Sequence, residues 1–151
     1  MELLVDLLKS HNYTISMAES CTGGLLAACI VSVADASKVF KQSFVTYTEE
    51  AKMKYAHVKK ETIDKYSVVS EEVALEMAKG VQKESNSNVG IGITGYAGPT
   101  GDNVGFVCFG LAINDKAYSY EMYFGGSRND IRAQAVEFIV SKTIEKLEEI
   151  I

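Results

Sequence analysis

Proline occurs once in these 151 residues, tryptophan not at all, histidine twice and cysteine three times. A single proline, Pro99, leaves no Pro-rich segment, and no Gly/Ser-rich linker or internal repeat is present, so the chain reads as one domain, residues 1–151. Cys21, Cys29 and Cys108 are an odd number without a C-x-x-C pair, which gives no sign of a disulfide framework. A reduced, cytoplasmic protein is the simplest reading of that usage. His11 and His57 have no acid or thiol at a ligand spacing, so no metal site is expected. Basic residues number 15 against 20 acids, for a net charge of −5. A nucleic-acid binder needs a basic face, and no nucleic-acid partner is expected. No apolar run reaches the roughly 18 residues of a membrane span, and no membrane association is expected. "MELLVDLLKS" carries acids where a secretory leader has a basic region.

What is present is an ordinary globular composition, 47% hydrophobic and 23% charged, with enough length for one real core. Residues 2–10 predict an amphipathic helix through Leu3, Leu4, Leu7 and Leu8. "YTISMA" alternates as a strand, and "GGLLAACIVSV" is apolar on nearly every side, as a buried helix is. "KQSFVTY" predicts a strand entering a short helix, "TEEAKMKYA", capped by Thr48. Ser70 caps a longer helix whose core stripe is Val73, Met77 and Val81 with Ala74 and Ala78. In "NVGIGIT" the glycines leave one strand face bare for close helix packing. "GFVCFGLAI" suits a strand covered on both faces, and "AYSYEMYF" a more exposed one. The short "NDK" link makes these two an antiparallel hairpin. A C-terminal helix starts near Ser127, with Ile131, Ala135, Phe138, Ile139 and Leu147 inward. The fold class is α/β: a layered sandwich around a mixed, mostly parallel sheet with one antiparallel hairpin.

Four stretches carry chemistry. In "AESCTGGLL", Ser20 and Cys21 fall on a strand-to-helix turn. The N–H groups of Thr22, Gly23 and Gly24 are then free to hold a phosphate or an oxyanion. Alternatively, the glycines only permit tight helix–sheet packing, with Thr22 an ordinary cap. Ser20 needs an activator, and the two histidines are badly placed for a triad. A neutral lysine is the alternative base, and Lys52 in "VTYTEEAKMKY" is the candidate, with Tyr47 before the helix cap. Its periodicity equally fits a solvated lysine. Cys21 is the rival nucleophile, since a helix N-terminus depresses a thiol pKa. In "TGYAGPTGDNVG", the glycine-rich loop from Thr94, Gly95 and Gly98 onward leaves room for a ligand. In "FGGSRNDIR", Arg128 and Arg132 share a helix face, and their forks suit phosphate or carboxylate, or surface ion pairs.

Taken in order, "AESCTGGLLA", "VTYTEEAK" with "VSEEVALEMAKG", "TGYAGPTGD" and "FGGSRNDIR" resemble the C-terminal domain of the CinA competence-damage family over nearly the whole chain. Stand-alone members of that family are nicotinamide-nucleotide amidases. The resemblance implies a three-layer α/β/α sandwich and hydrolysis of nicotinamide mononucleotide to nicotinate mononucleotide and ammonia. It maps the nucleophile onto Ser20, the base onto Lys52 and the accompanying tyrosine, a possible proton relay, onto Tyr47. It places a substrate-binding arginine at Arg128 or Arg132. No cofactor is implied. The expected partner is a small nucleotide substrate, and the expected assembly a homo-oligomer, a dimer being favoured. A nucleotide-binding module without turnover is the alternative function, though a binder has no need of a nucleophile with a base. Longer members carry a further N-terminal domain that these residues do not contain. The loop after "AGP" is shorter than is usual for the family and lacks its lysine. Phe106 stands where threonine is usual, and Gly126–Ser127 replaces a Gly-Asp. A working amidase with weaker substrate affinity is expected.

Overall fold

The computed structural model describes residues 1–151. In chain order the elements are α1 (Glu2–Ser10), β1 (Ile15–Glu19), α2 (Leu25–Val31), a 3-10 turn (Ala36–Lys38), β2 (Phe40–Val45), α3 (Glu49–Ala56), α4 (Lys60–Tyr66), α5 (Glu71–Ser85), β3 (Val89–Gly95), β4 (Phe106–Ile113), β5 (Lys116–Tyr123) and α6 (Arg128–Ile150). The five strands form one sheet in the order β2-β1-β3-β4-β5. β1 pairs parallel with β2 and β3, while β3–β4 and β4–β5 are antiparallel. Four strands therefore run one way and β4 runs against them. The antiparallel part extends beyond the expected hairpin, because a loop rather than a helix joins β3 to β4, and a parallel return needs a crossover.

Alternation along the central strands divides the core into two faces. Ile15 and Met17, then Ile91 and Ile93, then Phe109 and Leu111 point to the side covered by α1, α2 and α6. Ala18 packs on the other side with Val73, Met77 and Val81 of α5, Ala56 of α3 and Ile63 of α4. Gly92 and Gly110 explain how α5 sits so close: a methyl group at either would collide with the Ala74 carbonyl. The bare strand face predicted from the glycines is thus the seat of α5, whose whole predicted stripe is fully buried.

Three details differ from expectation. In α1, Val5 is buried with Leu4 and Leu8, while Leu3 is 51% exposed, because the face toward the sheet lies one residue further on. In α2, Gly23 and Gly24 stay outside the helix, at φ of 57° and 98°. Helix α4 was not anticipated; its only fully inward side chain is Ile63, too little to set a period. No helix is long and apolar enough to cross a membrane.

Candidate active site

Three strands end at one rim. Glu19, the last residue of β1, lies opposite Val45 of β2 and Ile93 of β3. The ladder continues one step further: Ser20 N–H donates to the Ile93 carbonyl (3.0 Å) and Thr46 N–H to the Glu19 carbonyl (2.8 Å). Ser20, Thr46–Tyr47 and the last two residues of β3, Thr94–Gly95, which still pair with β4, therefore stand side by side at this rim.

Beyond Ser20 the chain turns sharply. Gly23 N–H donates back to the Ser20 carbonyl (3.0 Å), and Gly24 takes the left-handed conformation that lets α2 begin at Leu25. The free donors at the start of α2 are taken by Glu19. Its fully buried carboxylate accepts from Leu26 N–H (2.9 Å) and Ala27 N–H (3.0 Å). Of the three N–H groups expected to be free at Thr22, Gly23 and Gly24, only that of Gly23 is taken. The Gly23 donor closes the turn, the Thr22 side chain is fully buried with Oγ1 unpartnered, and none of the three lines the cleft. The N–H groups of Cys21, Thr22 and Gly24 remain without an acceptor.

Lys52 reaches this turn from α3. The Thr48 hydroxyl caps that helix by accepting from Ala51 N–H (3.1 Å), so Lys52 stands one turn inside. Its side chain is 1% exposed, against the solvated alternative. Nζ lies 3.0 Å from Ser20 Oγ, 2.8 Å from the Thr46 carbonyl oxygen and 3.3 Å from that of Tyr47. No carboxylate forms an ion pair with it. Burial brings the ammonium pKa down to about 8, with Cys21 and Glu49 pulling weakly the other way. Burial pushes the neighbouring Cys21 thiol up to about 11, which leaves it protonated at neutral pH and a poor nucleophile.

The dyad opens into a cleft of about 470 Å³. Ser20, Lys52, Tyr47, Thr94, Gly95, Gly98 and Arg128, all singled out from the sequence, line it. Thr94 Oγ1 donates to the Val68 carbonyl (3.1 Å), fixing the wall between β3 and the segment before α5. The two arginines part ways. Arg128 donates to the Tyr47 hydroxyl (3.1 Å) and to the Gly98 carbonyl, and faces the cleft. Arg132, one turn on, donates through Nε to the Cys21 carbonyl (3.0 Å) and through Nη2 to the Thr22 carbonyl (2.8 Å). It holds the turn and does not line the cleft, which corrects its candidacy as a substrate contact. The C=O and N–H of a trans peptide point opposite ways, so pinning the Cys21 carbonyl aims Thr22 N–H away from Arg132. The Tyr47 phenol is bonded to Arg128, and only the Tyr47 backbone carbonyl meets Lys52, so the relay expected through its hydroxyl lacks a link to the base.

The family model for the CinA C-terminal domain matches residues 1–147. The chain belongs to the CinA C-terminal domain family. A CinA-like protein of Kosmotoga olearia is 49% identical over 141 residues, 91% of this chain and 34% of the relative. A competence-damage inducible protein of Clostridium botulinum is 44% identical over 146 residues, 91% of this chain and 36% of that one. The chain thus spans about a third of the length of these curated relatives. Among solved structures, a CinA superfamily protein of Klebsiella pneumoniae superposes with a TM-score of 0.93 at 34% identity, covering 98% of this chain and 97% of that one. One from Escherichia coli gives 0.89 at 37% identity, covering 94% and 87%.

In this CinA domain, sequence reasoning missed two parts of the site. One is Glu19, the cap of α2, which is visible only once β1 and α2 are folded against each other. The other is the wall made by Val68 and Val69, in a segment with no periodic signal.

Proposed function

We propose that this CinA domain hydrolyses the carboxamide of nicotinamide mononucleotide, with Ser20 as nucleophile and Lys52 as base. The observation that carries the reading is the buried contact of 3.0 Å between Lys52 Nζ and Ser20 Oγ, with no carboxylate in ion-pair contact with the lysine and burial lowering its pKa to about 8.

The geometry suits a neutral amine. Two N–H bonds of an uncharged Nζ point at the carbonyls of Thr46 and Tyr47, which leaves its lone pair for the Ser20 hydroxyl proton. As Ser20 Oγ bonds to the carboxamide carbon, Lys52 takes that proton. The resulting oxyanion meets the unpaired N–H groups of Cys21 and Thr22, a type of contact worth roughly 3–4 kcal/mol per donor. Lys52 then passes its proton to the departing nitrogen, the C–N bond breaks, and ammonia leaves. Water, deprotonated by the same lysine, attacks the ester. Nicotinate mononucleotide leaves and Ser20 regains its proton. Arg128 takes the phosphate with the N–H groups that Tyr47 and Gly98 do not use, and Tyr47 orients it.

The test is ammonia release on adding nicotinamide mononucleotide to the purified protein. Turnover is the expected result. Binding of the nucleotide without ammonia would leave a nucleotide-binding module instead.

A further inference from the structure

Besides Lys52, two charged side chains line the cleft, Arg128 and Glu49. They differ in sign and stand on different elements, Arg128 at the start of α6 and Glu49 in the first turn of α3. Arg128 is held by Tyr47 and Gly98. Glu49 is exposed and makes no hydrogen bond and no ion pair. Glu50 beside it shares its helix turn, charge and exposure but does not line the cleft. The Glu49 carboxylate is near enough to Lys52 and to Lys60 to help hold their protons.

An unpaired carboxylate disfavours a ligand that brings only negative charge into the cleft. It favours one with a cation next to the reacting carbon. The ring of an N-ribosylated nicotinamide is such a group. It is bonded directly to the attacked carboxamide carbon, so its charge lies within a few ångströms of Ser20 Oγ when that carbon is in reach. Its phosphate carries the negative charge, which suits Arg128. The cleft thus offers both signs of charge to a zwitterion. On the basis of the amidase reading above, we propose that Glu49 determines specificity by selecting the cationic, oxidised pyridinium nucleotide over its neutral dihydropyridine form. Glu49 acts on binding, so its effect falls on KM more than on kcat.

The test uses calorimetry on the Ser20→Ala protein, with the oxidised and the reduced mononucleotide as probes. The oxidised form binds more tightly. Adding Glu49→Gln weakens the oxidised form by about tenfold and spares the reduced one, as expected for one partly solvated charge contact. Glu50→Gln, which removes the same charge from the same helix turn, leaves the ratio of affinities unchanged. Raising the ionic strength narrows that ratio in the parent and not in the Glu49→Gln protein. Equal losses for both probes, a ratio insensitive to Glu49, a Glu50→Gln effect as large as that of Glu49→Gln, or no binding of either probe overturns the proposal. A ratio that depends on Glu49 in a protein whose wild type releases no ammonia defeats the amidase reading alone. Ammonia release with a ratio that ignores Glu49 defeats this proposal alone.

Discussion

Ser20 and Lys52 are separated by 32 positions in the chain and by 3.0 Å in the fold. The sequence marked both as candidates, yet nothing in "EEAKMKY" shows that Lys52 is buried. Its helix has no apolar stripe, and the carbonyls that receive Nζ belong to the end of the neighbouring strand. Similarly, Arg128 and Arg132 share a helix face by spacing, and only the position of the Ser20 turn sends one to the cleft and the other to the turn's carbonyls. Two predictions belong to this scale. Lys52→Met should lower kcat by at least about a hundredfold with little change in nucleotide binding, because a base acts in the transition state. In the wild type, kcat/KM should rise with pH and level off above about 8, since only neutral Lys52 accepts a proton. The same shift has a sign for folding. Between about 8 and the ordinary lysine value of 10.5 the unfolded chain holds a proton that the native state lacks, so stability relative to Lys52→Met should increase with pH across that window. Melting curves of the two proteins from pH 7 to pH 10 check it. For the arginines, steady-state kinetics on the nucleotide and on the riboside separate the roles. Arg128→Ala should raise KM for the nucleotide and spare the riboside, whereas Arg132→Ala should lower kcat on both by loosening the turn.

The elements that position the site were legible wherever a periodic apolar pattern met a cap. Thr48, Ser70 and Ser127 each accept from a backbone N–H at the start of the predicted helix. Where the signal was conformational, it was misread. "TGG" suggested the first turn of α2, but positive φ at both glycines keeps them outside it, and the cap comes from Glu19 on the preceding strand. That cap is a joint between β1 and α2, and it predicts a double effect. Glu19→Gln replaces one acceptor oxygen by an NH₂ and leaves a helix N–H unpaired, at a cost of about 1–3 kcal/mol. Because the same residue immediately precedes Ser20, kcat should fall as well. Chemical denaturation and ammonia release on the one variant check both, and a normal melting curve with normal turnover would remove Glu19 from this role.

At the scale of the whole molecule, the sandwich places the candidate site at one rim of the sheet. β1, β2 and β3 end together, and α3 and α6 bring Lys52 and Arg128 to them. The two-faced core was readable from the alternation in "TISMA" and "VGIGIT", because a buried sheet leaves period two in its strands. The order β2-β1-β3-β4-β5 was not readable, since pairing between distant strands leaves no local pattern. The central claim is that this arrangement makes Ser20, and not its neighbour Cys21, the attacking group. Ammonia release from nicotinamide mononucleotide by the wild type, Ser20→Ala and Cys21→Ala, side by side at pH 8, tests it most directly. The account predicts release by the wild type, none above background from Ser20→Ala, and most of the wild-type rate from Cys21→Ala. Release by Ser20→Ala with its loss in a folded Cys21→Ala would contradict it.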